Sequence, residues 1–549
     1  MRECTFNHKD CPVDNRHDNF HPTRLVDVGP FKTSTYSSPE FRVVQGSVVS
    51  STERSVTLNH RWPAAHILQL FAENIERFQK GTPISALPRT FQDAFIITRR
   101  LGVRYIWIDC LCIIQSGDDG RDWQRESRLM GTIYANALCN IAADWPSELG
   151  GMLSPRDLAV SERVELNILR DRTDGSIFRQ RHTATPCAGI WDNEVTLAPL
   201  NQRGWVFQER LLAPRVIHFC RSEVFWECGT KTACESFPAR MPSLPLELYP
   251  GLPRAIQWFQ KTRHLGDNDG HPSLSMKPAA SSGWKTIVEQ YSTFQLTKAS
   301  DKLIAIAGLA ACLCAVFDDQ YVAGMWIRTI LCDLTWYRPW GPDHRDHPAH
   351  LSRTPYTPSF SWASIDGEIL FRPDLGEGRK ELVQILCIRH RGDLPTPRAP
   401  TKAEDAGGQP DEVMLDNVFD ILDGPAVELK VIGRLRPTAR MGLIEMESSI
   451  THWDFHINIR DMDKKELYYI PWVEAPERQA PNGNYILAKL ICIMFELVDA
   501  CSARFCRIGA FSVDQKEIRM QILEPQGGEG QIRGWEYDSV TGNHTIYIV

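Results

Sequence analysis

The sequence has no long apolar run, no block of basic charge, no regularly spaced cysteine framework and no internal repeat. Each absence narrows what the chain is. Its most apolar stretch, residues 303–317, is bracketed by Asp301, Lys302, Asp318 and Asp319 and falls short of the ~20 residues that a bilayer span needs. It reads as a core helix. The first eight residues, Met-Arg-Glu-Cys-Thr-Phe-Asn-His, contain no apolar segment of the kind that directs secretion. The formal net charge of −7 over 549 residues is mild, and without a lysine/arginine cluster nucleic-acid binding gains no support. Sixteen cysteines scattered without framework spacing suit reduced thiols in a cytoplasmic protein, so the sequon Asn543-His-Thr545 is expected to be silent.

What is present is enough chain for two or three domains. The order read from the pattern is an arm over 1–50, an α/β domain over 51–230, a helical region over 231–345 and a β-rich region over 346–549 with a linker at 392–412. The α/β domain is organised around Tyr105-Ile-Trp-Ile-Asp-Cys-Leu-Cys-Ile-Ile-Gln115, which reads as one fully buried strand with a polar end. Helix-period segments on both sides of such a run predict a parallel sheet covered on both faces. In open sheets of that kind ligands bind beyond the carboxyl ends of the strands, which puts Asp109 and its successors at the productive edge.

Around that axis the spacing predicts strands near 23–28, 41–44, 55–60 and 139–143, helices over 64–79, 87–101 and 122–137, a short helix over 204–212, and a hairpin of 215–220 with 224–228. At about 100° per residue, Trp123, Glu126, Met130, Ile133 and Ala137 share one face of the 122–137 helix. Glu126 therefore sits inside an apolar stripe, and a carboxylate there must be paired, hydrogen-bonded or functional. An ion pair with Arg99, Arg100 or Arg104, or an acid near the helix N-terminus favoured by the dipole, is the plain explanation; a catalytic acid is the other. Trp205, Gln208 and Leu212 share a face of the 204–212 helix, and packing against the sheet edge is expected of them.

Three metal patterns are weak. Cys4, His8 and Cys11 with His17 or His21 have zinc-ligand chemistry but match no strong spacing template, so a plain loop is expected and no metal is assigned. His344, His347 and His350 are separated by prolines that prevent a helix from aligning them. Asp267-Asn-Asp-Gly lacks the spaced ligands of a calcium loop. A nucleophilic role for Cys110 or Cys112 with His60 is weaker still, because a buried strand-end thiol is ordinarily inert. Helices are predicted over 284–291, 301–316 and 321–336, and strands over 359–371, 382–388, 427–433, 485–493 and 503–509.

Four blocks then resemble one family together: Leu87-Pro-Arg-Thr-Phe-Gln-Asp-Ala, Leu101 to Gln115, the Asp122-Trp…Glu126…Met130…Ile133-Tyr-Ala-Asn-Ala137 spacing, and Arg203-Gly-Trp-Val-Phe-Gln-Glu-Arg-Leu-Leu212. They look like the successive blocks of the fungal heterokaryon incompatibility (HET) domain. One block departs, with Leu58-Asn-His-Arg-Trp-Pro63 where the family usually has Leu-Ser-Tyr/His-x-Trp-Gly. The resemblance implies a TIR/flavodoxin-like parallel sheet and a role in nonself recognition and programmed cell death. It also implies a TIR-like NAD-glycohydrolase activity, with NAD as substrate and no resident cofactor. On that reading Glu126 is the catalytic acid, and Asp109, Gln115 and His60 line the pocket, His60 toward phosphate. Trp107, Cys112, Trp123, Gly204, Trp205, Gln208, Glu209 and Arg210 are structural motif positions. The alternative is a non-catalytic signalling module that works by self-association.

Overall fold

The computed structural model describes residues 1–8, 11, 20–29, 40–62, 68–145, 151–153, 164–171, 177–184, 189–242, 277–317, 319–339, 357–372, 379–390, 427–437, 450–453, 466–479, 485–486, 488–523, 535–541 and 543–549. Contacts divide the chain into two compact units. One comprises Met1–Asn268, Phe294–Leu296 and Ala305–Leu309; the other comprises Asp269–Thr293, Thr297–Ile304 and Ala310–Val549.

In the first unit helix α1 (Arg2–Asn7) precedes strands β1 (Arg24–Asp27), β2 (Glu40–Gln45) and β3 (Ser55–Asn59). Helix α2 (Ile75–Lys80), β4 (Thr82–Pro83), α3 (Arg89–Arg100), β5 (Tyr105–Trp107), α4 (Asp109–Cys112), α5 (Arg121–Asn136) and β6 (Asn140–Ala142) follow. After a separate hairpin, β7 (Val164–Asp171) with β8 (Ile177–Ala184), come α6 (Gly204–Leu212), β9 (Arg215–Phe219), β10 (Val224–Cys228) and β11 (Thr232–Cys234). Among the described residues nine strands form one mixed sheet in the order β11-β10-β9-β6-β3-β5-β1-β2-β4. Its centre, β9-β6-β3-β5, is parallel, and the strands at either side are antiparallel. The central strands β5 and β6 are buried on both faces, as an apolar pattern without alternation requires.

The parallel strands occur in the chain as β3, β5, β6, β9 but lie in space as β5-β3-β6-β9. The chain leaves β3 in one direction to make β5 and returns to its other side to make β6. That reversal opens the crevice where ligands of open α/β sheets bind, outside the carboxyl ends of β3 and β6.

The 105–115 run is not one strand. Only Tyr105–Trp107 pair with β3, the last register being Thr57 with Trp107, and the chain then coils into α4. The amides of Leu111 and Cys112 bond back to the Ile108 carbonyl at 3.0 and 2.8 Å, and Leu70 takes the place of a strand partner by exchanging bonds with Cys110 and Gln115. An unbroken apolar run cannot distinguish a buried strand from a strand and a buried turn of helix. Of the predicted 64–79 helix, only Ile75–Lys80 is helical among the described residues, and residues 63–67 lie outside them. The Asn74 side chain accepts from the Phe71 amide at 2.8 Å and donates to the Gln69 carbonyl at 2.9 Å, diverting backbone groups that a helix would use. The 87–101, 122–137, 204–212 and hairpin predictions match α3, α5, α6, β9 and β10 within a residue or two.

The second unit holds helices Lys277–Ser292 and most of Ile304–Phe317, together with a β-rich remainder. Residues 321–336 were expected to be helical. Only Ile327–Thr329 (3₁₀) and Ile330–Asp333 (α) are helical; Tyr321–Val322 and Met325–Trp326 form a tight hairpin, because Ala323 and Gly324 both take positive φ (46° and 95°), and a Cβ on Gly324 would lie 2.4 Å from the Trp362 indole nitrogen. The predicted strand over 359–371 is mostly turns: the Ser361 hydroxyl accepts from the Ala363 amide and starts the 3₁₀ turn Trp362–Ser364. Beyond it, among the described residues, ten strands form a largely antiparallel sheet whose central members are Leu467–Ala475, Lys489–Asp499 and Arg504–Val513. The linker at 392–412, the histidines at 344, 347 and 350 and the Asp267 loop lie outside the described residues. Among those described, no helix is long and apolar enough to cross a membrane.

Candidate active site at the carboxyl edge of the parallel strands

Beyond the end of β3, His60 is buried, its ring edge-on to Phe91 at 4.7 Å and parallel to Trp62 at 6.5 Å. Burial, and then the Arg203 guanidinium, depress its pKa against the opposing pull of Asp109, so the imidazole is neutral at pH 7. Its Nε2 has no hydrogen-bond partner. Beyond the end of β5, Asp109 opens α4 with its side chain 31% exposed. One carboxylate oxygen accepts from the Cys110 amide at 2.7 Å and lies 3.8 Å from His60 Nδ1; the other accepts from the Trp62 indole at 2.9 Å.

The third contribution comes from α6. Arg203, at its N-cap, donates to the His60 carbonyl at 2.9 Å, and Glu209 is buried on the face toward Asp109. Burial, with the negative charge of Asp109 adding to it, pushes the Glu209 carboxyl up to about 8, although Arg203 and the donated hydrogen bond of Tyr134 oppose the shift. Tyr134 comes from α5 and packs edge-on against Trp107 of β5 at 5.8 Å. His60, Asp109, Trp62 and Arg203 thus touch at the strand ends, and buried Glu209 and Tyr134 lie within reach of their charges.

Helix α6 is held in place by close approaches. A Cβ on Gly204 would meet the Leu296 side chain at 2.6 Å, and the Gln208 side chain accepts from the Gly308 amide at 3.1 Å. Gly131 of α5 and Gly308 nearly touch, a Cβ on Gly131 falling 2.8 Å from the Gly308 Cα, with Leu212 beside both. The face of Gln208 and Leu212 thus packs as expected, and Trp205 meets Trp123 edge-on at 6.4 Å. Arg210 points elsewhere, forming a buried two-bond pair with Glu227 at 2.7 and 3.1 Å. Glu227 also faces His218, whose other nitrogen lies 2.8 Å from Asp144. Burial disfavours the His218 imidazolium, but Asp144 and Glu227 outweigh it and hold the pKa above its ordinary value.

Glu126 is wholly buried, as its place on the apolar stripe requires, but its neighbours are cationic. Arg125 donates to it at 3.0 Å and Arg24 of β1 lies 3.9 Å away; both arginines also pair with Asp122. The expected partners are engaged otherwise, Arg99 with the Val28 carbonyl and Arg104 with Asp27. Glu126 Oε2 keeps no hydrogen-bond partner. Gln115 folds back to donate to the Ile113 carbonyl at 3.0 Å and, at 3.4 Å, to that of Asp109, bracing the loop that presents Asp109. Burial drives the thiols of Cys110 and Cys112 upward, the latter to about 12, which makes both poor nucleophiles. His60, Asp109 and Cys110 place one donor atom each within 4.8 Å, but the Asp109 oxygens already serve Trp62 and the Cys110 amide.

Residues 56–209 match the family model of the heterokaryon incompatibility protein (HET). This segment is a HET domain. It begins one residue into β3 and ends on Glu209, so the HET domain spans every side chain of the strand-edge cluster. No curated protein and no solved structure matches the chain. Tyr134, Arg203 and Trp62 entered the sequence reading only within motif blocks, with no site role, and Glu209 only as a structural position. A signal for Glu209 existed: it lies about 40° from Trp205 around α6, a carboxylate on a packed face, which is the criterion that singled out Glu126.

Proposed function

We propose that the HET domain of this protein hydrolyses the nicotinamide–ribose bond of NAD and that the protein acts through this activity in fungal nonself recognition and programmed cell death. The observation that carries the reading is the cluster of His60, Asp109, Trp62 and Arg203 at the carboxyl edge of the sheet, with Glu209 buried on α6 and its carboxyl pushed up to about 8 by burial and the Asp109 charge. The spatial order of its parallel strands, second-first-third-fourth, is that of flavodoxin-like sheets and supports it further. As the bond from C1′ of the ribose to nicotinamide breaks, its electron pair leaves with the neutral pyridine. The charge of Asp109 stabilises the cation-like ribose, and water adds to C1′ and gives up a proton to solvent. Protonated Glu209 donates to a ribose hydroxyl, and neutral His60, with a free Nε2, offers a hydrogen bond to phosphate. Glu126, with Oε2 unpartnered, is the second candidate for the acid.

The test is release of nicotinamide from NAD by the purified full-length chain. Asp109→Asn and Glu209→Gln are each expected to lower the rate by about 100-fold or more. A Glu126→Ala variant as fast as wild type removes Glu126 from the chemistry. No release by the wild-type chain overturns the reading in favour of a non-catalytic, self-associating module, for which light scattering gives the oligomeric state.

A further inference from the structure

Far along the sheet from that edge, the amino-terminal arm meets the β10–β11 turn. Cys4 on α1, His8 just beyond it, Cys11 and Cys228 at the end of β10 bring four donor atoms, three thiol sulfurs and one imidazole nitrogen, within 4.8 Å of one another. The three cysteines are buried at 2%, 0% and 6% exposure. In a tetrahedral ZnS₃N site the bond lengths set donor separations of about 3.6 Å (S to N) and 3.8 Å (S to S). Cys228 Sγ lies 3.5 Å from His8 Nδ1.

A second feature of the cluster points independently to a charged occupant. Arg215 of β9 is buried against it, its Nε donating to Cys4 Sγ at 3.2 Å and its other nitrogens to the carbonyls of Cys11 and Leu138, both at 3.2 Å. Among the described residues no carboxylate pairs with Arg215. A buried guanidinium needs an anion. Three thiols and a neutral imidazole supply none, whereas three thiolates, an imidazole and Zn²⁺ carry one net negative charge, which matches the arginine. The N–H to sulfur bond from Arg215, and the Thr230 hydroxyl 3.6 Å from Cys11 Sγ, are the outer-shell contacts that orient thiolate ligands.

We propose that Cys4, His8, Cys11 and Cys228 bind a structural zinc ion that fastens the amino-terminal arm to the β10–β11 turn. Four protein donors close the coordination shell, so the ion holds structure and leaves no position for substrate. The spacing Cys-x₃-His-x₂-Cys supplies three ligands locally, and the fourth comes from more than 200 residues away. His21, one of the sequence candidates, instead bonds the Ser50 carbonyl at 3.0 Å; His17 lies outside the described residues.

The experiment is elemental analysis of the full-length chain purified without added metal, with zinc-edge X-ray absorption on the same sample. About one zinc per chain with three sulfur and one nitrogen neighbours is expected. Cys4→Ser and His8→Ala should each lower zinc occupancy several-fold, while Cys501→Ser, at an exposed cysteine, should leave it unchanged. If a variant fails to fold, alkylation of the wild-type chain decides: Cys4, Cys11 and Cys228 should label only after a chelator is added, and Cys501 with or without it. A chain without zinc after refolding with the ion, iron in its place, a disulfide among the three cysteines, or occupancy indifferent to Cys4→Ser and His8→Ala would each overturn the proposal.

Discussion

Glu126 and Glu209 are both glutamates buried on helices that cover the same sheet, and their surroundings are opposite. Glu126 lies among Arg24, Arg125 and Asp122, a cluster in which two guanidinium groups face two carboxylates. Glu209 lies toward a second negative charge, Asp109, with a phenol and a single guanidinium as relief. Burial selects both residues equally; the sign of the neighbouring charge separates them. A carboxylate surrounded by cations ties elements together, whereas one raised by burial and a like charge retains a proton that chemistry at neutral pH can use.

The contrast can be broken in order of expected effect. Arg24→Met withdraws a buried cation from Asp122 and Glu126, and urea unfolding should register a loss of about 3 kcal/mol or more, since uncompensated buried charge is costly. A loss below about 1 kcal/mol would mean that the cations do not hold Glu126, and the contrast would collapse. Gly131→Ala drives a methyl group against the Gly308 backbone beside α6 and should cost roughly 1–3 kcal/mol, measured the same way. Because α6 carries Glu209 while Arg24 and Arg125 stand near the other end of α5, this variant should impair nicotinamide release with the Glu126 cluster intact.

The smallest effect at pH 7 is expected for Glu209→Gln, which replaces a neutral acid by a neutral amide and should cost about 1 kcal/mol or less. Its signature is the pH dependence. Glu209 holds its proton more tightly folded than unfolded, so its contribution to stability is whole below the ordinary value of 4.5 and declines until about pH 8, with a slope of at most ~1.4 kcal/mol per pH unit. Unfolding curves between pH 5 and 9 should show that decline in the wild-type chain and its loss in Glu209→Gln. An unchanged slope would show that Glu209 is not the protonated partner.

Much of the first unit was legible locally. The boundaries of α6 and of the β9–β10 hairpin follow from short-range pattern and turn residues, and the stop of α3 follows from Gly102. The α4 turn and the Ala323-Gly324 hairpin did not, because in each the local pattern is overridden by a contact from far along the chain, Leu70 on Cys110 and Trp362 on Gly324; the Asn74 loop did not, because a local side-chain cap on Gln69 and Phe71 competes with the helix that the apolar period suggests. Asp109 and His60 were placed at the strand edge by the sequence alone, whereas Tyr134 and Arg203 acquire a role only once α5 and α6 are laid over the same strand ends.

Sequence by itself determined α3, α5, α6 and the β9–β10 hairpin, that the central strands are buried and parallel, and that Glu126 must be compensated, because periodicity and the cost of burying charge act over one or two turns of chain. Tertiary structure decided that Arg24 does the compensating, that buried Glu209 comes within the field of the Asp109 charge, and that Cys228 joins Cys4, His8 and Cys11. Each of these meetings depends on the order of strands in the sheet and on which side of β3 the chain returns. That order is set by the packing of whole elements and has no signature in any local stretch.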